Sequence, residues 1–208
     1  MPFRAVIFDY ANTLSSAHYF TVPHPAVPDW TDLIQSEIFG DDAFFDRWMR
    51  GEERLATVAG RLSRRTGQRV DTILECLVEG CRGLAENPGV AAFARRLKAA
   101  GVPIALVTGN VDVFTEVVVP AHGYDRLFDT VLNTSDYGTL DKRDLWPRAF
   151  SELGDGIGYH NTLLIEDGAG SVDHYRRAGG HAIQYTTDRQ LEADLAGYRI
   201  ADGMLVEG

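Results

Sequence analysis

The sequence predicts a doubly wound α/β fold, a mostly parallel sheet covered by helices on both faces, with a small α-helical module inserted after the first strand. Three observations predict it. Short, nearly continuous apolar runs recur along the chain, which suits strands buried on both faces. Helix-patterned stretches stand between them, in the βαβ order of a parallel sheet. Ninety-four residues, 9–102, separate the first strand from the second, far more than the roughly a dozen that a crossover needs.

The expected strands are 3–8, 103–107, 130–132, 162–165 and 181–185, and the expected core helices are 90–100, 111–120, 145–153 and 171–178. Gly101, Gly154 and Gly179 follow three of these helices at C-cap positions. The insert opens with a Pro- and His-containing loop, 18–28, and then turns helical, with Trp30, Leu33, Ile34, Ile38, Phe44, Phe45, Trp48 and Met49 as expected buried anchors. A second helix over 53–66 carries Leu55, Val58, Ala59 and Leu62 at helical spacing, and a third covers 70–84. Asn87-Pro88-Gly89 punctuates the return. Residues 1–14 and 88–208 are therefore expected to form the α/β core and 15–87 a helical cap.

The 208 residues suffice for one substantial core, and 45% hydrophobic with 24% charged residues is an ordinary globular composition. A net charge of -10 argues against nucleic acid or an anionic membrane as partner and leaves a small molecule. The sequence sets no oligomeric state. Cys76 and Cys81 lack metal-ligand neighbours and are expected to be small apolar side chains in a reducing compartment. The start of the chain has no secretory pattern and no apolar run approaches the roughly 20 residues of a membrane span, so a cytoplasmic location is expected.

In an open parallel sheet ligands bind beyond the carboxyl ends of the strands. There the first run is followed by Asp9, Tyr10, Ala11, Asn12 and Thr13, the second by Thr108, Gly109 and Asn110, and the fourth by Glu166 and Asp167. Three carboxylates converging from two distant segments would repel one another unless a cation joined them. Oxygen-only ligands favour a hard divalent ion, and Mg²⁺ commonly shares its coordination with substrate phosphate.

These motifs, in this order, resemble the haloacid dehalogenase-like hydrolase superfamily over nearly the whole chain. Residues 6–14, Val-Ile-Phe-Asp-Tyr-Ala-Asn-Thr-Leu, resemble its first motif, Thr108 its second, Lys142 its third and Glu166-Asp167 its fourth. The resemblance implies a Rossmann-like core and Mg²⁺-dependent hydrolysis of a small phosphorylated metabolite, with Asp9 attacking phosphorus. It places Lys142 and Thr108 on the phosphoryl oxygens. It gives Mg²⁺ the carboxylate of Asp9, the carbonyl of Ala11 and Asp167, with Glu166 beside them, and it leaves Asn12, Thr13, Gly109 and Asn110 to bind substrate.

One position departs from that pattern. Family phosphatases carry a second Asp two residues after the nucleophile, as general acid and base, where this chain has Ala11. Such catalysis is typically worth about 10² to 10⁴ in rate. Three readings follow: a phosphohydrolase whose leaving group needs little protonation or whose acid is Tyr10, His18 or His24, a C–P or C–halogen hydrolase, or a catalytically silent phospho-ligand binder. The C–P branch uses a cap lysine, and the only lysines here are Lys98 and Lys142, neither in the cap. The dehalogenase branch has an aromatic residue in place of Ala11 and dispenses with the metal that Glu166-Asp167 are suited to hold.

Overall fold

The computed structural model describes residues 2–208. Five strands form one parallel sheet in the order β3-β2-β1-β4-β5: β1 is Ala5–Phe8, β2 Ile104–Thr108, β3 Thr130–Asn133, β4 Thr162–Glu166 and β5 His181–Gln184. β1, β2 and β4 are buried at every position, as suits their largely apolar sequences, with Thr108 and Glu166 the polar residues that close β2 and β4. Phe8 stands beside Leu106 on one side and Ile165 on the other, so the residues that leave β1, β2 and β4 emerge together at one edge.

Four helices precede the return to the sheet. They are α1 (Trp30–Ile34), which widens into a π-helical turn over Gln35–Phe39, α2 (Asp42–Met49), α3 (Leu55–Thr66) and α4 (Val70–Arg82). α5 (Pro88–Ala99) leads into β2, and a π-helical turn Phe114–Val118, α6 (Val119–His122) and α7 (Tyr124–Leu127) lead into β3. α8 (Thr134–Tyr137), a 3₁₀ turn Lys142–Leu145 and α9 (Trp146–Leu153) precede β4, α10 (Ala169–Arg177) precedes β5, and α11 (Asp188–Leu195) follows it.

The alternation of β1 side chains divides the core. Val6 and Phe8 face a large apolar cluster that includes Phe93 and Leu97 of α5 and Leu191 of α11. Ile7 faces a second cluster, with Trp146 and Phe150 of α9 and Tyr175 of α10. Helices thus cover both faces, as a doubly wound sheet demands. The first cluster runs without a break through Leu14, Phe20 and Phe114 to Trp48, Leu62 and Leu77, so the inserted helices share the core of the sheet. Of the expected insert anchors, Trp30, Ile34, Ile38, Phe44 and Trp48 are buried, and Leu33, Phe45 and Met49 are half-buried.

Asp112, in the loop after β2, fastens the insert. It is 1% exposed; one carboxylate oxygen accepts from Trp48 Nε1 at 2.6 Å and Val113 N at 2.9 Å, and the other from Leu55 N at 2.9 Å. Hydrogen bonds to a charged group contribute about 1.5–3 kcal/mol each, and the donors left behind would be unsatisfied. Asp112→Ala is therefore expected to lower the unfolding free energy by roughly 2–4 kcal/mol in urea titration. A change within about 0.5 kcal/mol, the ordinary surface range, would show that this buried carboxylate does not hold the insert.

Two features differ from the sequence expectation. The helix expected over 111–120 continues through Pro120 to His122, because the wider turn Phe114–Val118 precedes the proline, which then opens α6 near its N-terminus, where a missing N–H is tolerated. Beyond β5 the chain also forms a hairpin, β6 (Tyr198–Ala201) and β7 (Met204–Glu207), with left-handed Asp202 and Gly203 at its turn. Phe3 and Leu205 exchange backbone hydrogen bonds at 2.7 and 3.0 Å, which docks the hairpin beside the start of the chain. Cys76 and Cys81 are free thiols, half-buried and buried. Among the described residues, no helix is long and apolar enough to cross a membrane.

Candidate active site

Asp9 follows directly on β1 and is 2% exposed; its backbone N–H donates to Ile165 O at 3.0 Å, which holds it against the end of β4. Glu166 closes β4 and is 1% exposed. Lys142 lies between them, its Nζ 2.8 Å from Asp9 Oδ1 and 2.7 Å from Glu166 Oε2. The lysine is carried on a turn that local chemistry organises. Asp141 caps it by accepting from Arg143 N at 2.9 Å, and Thr139 Oγ1 bonds Asp144 at 2.8 Å. Leu145 and Trp146, buried directly after, anchor the turn in the second core cluster.

Asp167 completes the group: oxygens of Asp9, Glu166 and Asp167 lie within 4.8 Å of one another. Thr13, fully buried, holds Asp167 from the other side, accepting from its backbone N–H at 3.0 Å and donating to Oδ1 at 3.4 Å. The Thr13 side chain is thus engaged with Asp167. The second oxygen of Glu166 accepts from Gly168 N at 2.9 Å, and a Cβ on Gly168 would stand 2.9 Å from that same oxygen. Only glycine permits so close an approach without displacing the carboxylate.

Burial pushes the Asp9 carboxyl up to about 7, with Glu166 adding to the effect and Lys142 opposing it. The Glu166 carboxyl is raised too, first by burial. Burial works against the charge on Lys142, but the two carboxylates outweigh it and hold the amine at about 12. The lysine stays charged, and two carboxylates around one ammonium leave an excess of negative charge.

Thr108 ends β2 with its hydroxyl buried and without a hydrogen-bond partner. Such a donor costs about 1–3 kcal/mol unless something fills its place. Asn110 Oδ1 accepts from Val111 N at 3.0 Å, and Asn110 N donates to Thr134 Oγ1 at 3.1 Å. Asn133 braces the same loop, donating to Val111 O at 3.0 Å. Sequence reasoning missed Asn133, Thr134 and Asp112 as supports. Asn133-Thr134 do follow an apolar strand, and that is the signal that could have found them.

A family model of haloacid dehalogenase-like hydrolases matches residues 3–179. The chain belongs to that family. As a haloacid dehalogenase-like hydrolase it shares its fold with a predicted HAD-like family hydrolase from Porphyromonas gingivalis, at TM-score 0.62, 17% identity, and 89% and 91% coverage of the two chains. A HAD family enzyme from Bacteroides thetaiotaomicron, in complex with magnesium and inorganic phosphate, aligns at TM-score 0.62 and 10% identity over 88% of this chain and 94% of that one. An L-2-haloacid dehalogenase from Xanthobacter autotrophicus aligns at TM-score 0.58 and 15% identity over 96% and 85%. No curated protein matches the sequence.

In this haloacid dehalogenase-like hydrolase, Ala11 and Asn12 are exposed at the site edge, Asn12 in a left-handed conformation with its N–H donating to Ser15 O at 2.8 Å. Of the three side chains considered as a replacement acid, His24 is excluded by position. It is 3% exposed, 5.3 Å from the Trp30 ring, and lines a separate cavity beside α4. Tyr10 is buried against Phe114, and burial pushes its hydroxyl up to about 12. His18 is exposed and lines the same cavity as Ala11 and Asn12.

Proposed function

We propose that the chain is a Mg²⁺-dependent phosphohydrolase of a small phosphorylated metabolite, with Asp9 as nucleophile. The observation that carries this reading is the ammonium of Lys142 within 2.8 Å of Asp9, in a buried group that also holds Glu166 and Asp167. The donor set fits a hard divalent ion: every ligand atom is oxygen, and the excess negative charge is what such an ion neutralises. Asp9, the carbonyl of Ala11 and Asp167 would hold Mg²⁺, with Glu166 beside them. Bound there, the ion would neutralise charge on the nucleophile and the phosphoryl group.

The remaining chemistry belongs to the chain. The Asp9 carboxylate attacks phosphorus in line, and an aspartyl-phosphate splits one difficult displacement into two easier ones. Lys142 and the unpartnered Thr108 hydroxyl donate to the phosphoryl oxygens, where charge accumulates. Thr13 and Gly168 are positioning residues, acting through Asp167 and Glu166. The insert, 15–87, serves as a cap over the edge where the phosphate sits, and Asn12, Gly109 and Asn110 meet the substrate there.

The test is hydrolysis of acetyl phosphate and p-nitrophenyl phosphate with and without Mg²⁺. Activity should require the metal, and Ala11→Asp should raise turnover of alkyl phosphates by roughly 10² or more, the ordinary worth of a positioned acid. Mg²⁺ binding to Ala11→Asp with no gain in turnover would defeat the missing-acid argument, and no turnover of either substrate would favour a silent binder.

Metal binding should also be visible in stability. A carboxyl raised to about 7 in the folded state favours folding below its unfolded value of 3.8 and loses that contribution as pH rises through 7. Mg²⁺ binds the deprotonated form, so its increment in Tm is expected to be larger near pH 8 than near pH 5.5, by about 2–4 °C per kcal/mol of binding. An equal increment at both pH values would mean that the ion binds elsewhere.

A further inference from the structure

A cavity of ≈ 700 Å³ lies between the ends of β1 and β2 and the inserted helices. Ala11, Gly109 and Asn110 line its core side, and Phe39, Phe45 and Met49 line the insert side. Tyr19 and Phe20, on the loop that leaves β1, add further aromatic surface. Among the described residues, no Asp, Glu, Lys or Arg lines it, and Asn12, Ser15, His18, Thr31 and Gln35 supply polar side chains beside the aromatic ones. A second charged group on the substrate would find no carboxylate or Lys/Arg partner in such a place and would lose hydration without replacement. A flat apolar ring instead gains roughly 25 cal/mol per Å² of surface removed from water.

Ala11 supplies an independent argument. Family phosphatases place their acid where this chain has Ala11, and without one there a leaving oxygen that can depart as an anion is favoured, the exposed His18 on the cavity being the remaining donor. A phenolate, whose conjugate acid ionises near pH ~10, leaves far more readily than an alkoxide, which resembles hydroxide and water's value of about 15.7. The wall and the missing acid select the same kind of group.

We propose that this cavity receives the leaving group and that the substrates are aryl phosphate monoesters with an uncharged ring. This rests on the phosphohydrolase reading of the site. The Asp9 oxygen forms a bond to phosphorus as the P–O(aryl) bond breaks, and the electron pair leaves on the phenolate, which takes a proton from solvent. Water then attacks the aspartyl-phosphate, the Asp9 O–P bond breaks, and inorganic phosphate and the Asp9 carboxylate are released.

The experiment compares kcat/KM in Mg²⁺ for 2-naphthyl phosphate, phenyl phosphate and glucose 6-phosphate, with acetyl phosphate as a substrate that has no ring. The aryl esters are expected to exceed the sugar phosphate by roughly 10²-fold or more, equivalent to about 2.7 kcal/mol at tenfold per 1.36 kcal/mol. Phe45→Glu and, separately, Met49→Glu should each lower the ratio of 2-naphthyl to acetyl phosphate turnover by about tenfold, since each sets a charge against the ring. If acetyl phosphate is hydrolysed while glucose 6-phosphate equals or exceeds the aryl esters, the aryl assignment is wrong and the phosphohydrolase reading stands. If none of the four is hydrolysed, both fall.

Discussion

Replacing Asp9 by Asn is expected to lower Mg²⁺-dependent kcat/KM by roughly 10⁴-fold or more, the scale on which enzymes lose rate when the attacking group itself is removed. The fold should not suffer. Asp9 is 2% exposed and its carboxyl is pushed up to about 7, first by burial, so the metal-free protein holds a carboxylate where a neutral group is preferred. An amide of the same shape removes that charge and leaves Lys142 paired with Glu166 at 2.7 Å. Thermal stability without Mg²⁺ is therefore expected to stay level or rise while activity disappears, a combination seen where strain or charge is held for function. Loss of both together would point to a structural role for Asp9.

Lys142→Met should have the second largest effect. It removes the one ammonium between two buried carboxylates, each of which then faces the other with no compensating charge. Breaking a buried pair in this way typically costs about 3–5 kcal/mol. For the reaction, one donor to the developing phosphoryl charge is lost, worth on the order of 10²–10³ in kcat. Lys142→Arg should not restore the rate, because a planar fork cannot occupy the point between Asp9 Oδ1 and Glu166 Oε2 that an ammonium fills. Steady-state kinetics on both variants, with urea titration of each, separate the two effects, and wild-type turnover by Lys142→Met would remove the lysine from the mechanism.

The sheet and its site edge were legible because they follow from local patterns. Short apolar runs such as 104–107 and 163–165, set between helix-patterned stretches, read as strands buried on both faces, and a parallel sheet brings all their carboxyl ends to one side. That rule alone gathers Asp9, Thr108, Glu166 and Asp167. The family resemblance added Lys142, which no local pattern distinguishes from a surface lysine. Its ion pair with Asp9 joins residues 133 positions apart and exists only once the turn at Asp141 is capped and docked.

What was not legible depended on tertiary packing. Asp112 reads as one more loop acid, and nothing near it in sequence shows that Trp48 and Leu55 donate to it. His24 has the chemistry of an acid but is carried into another cavity. Thr13 looks like a substrate ligand until Asp167 is seen to occupy it. The terminal hairpin was available and overlooked: Asp202-Gly203 between two apolar segments is a strong hairpin signal, and both residues take the positive φ that such a turn requires.

The most direct test of the account is whether phosphate becomes attached to Asp9. Protein mixed with Mg²⁺ and acetyl phosphate, quenched in acid and analysed by peptide mass spectrometry, should gain a single phosphoryl group on the peptide that contains Asp9. The gain should depend on Mg²⁺ and be absent from Asp9→Asn. Turnover that continues in Asp9→Asn, with no phosphorylated peptide in the wild-type protein, would contradict the account.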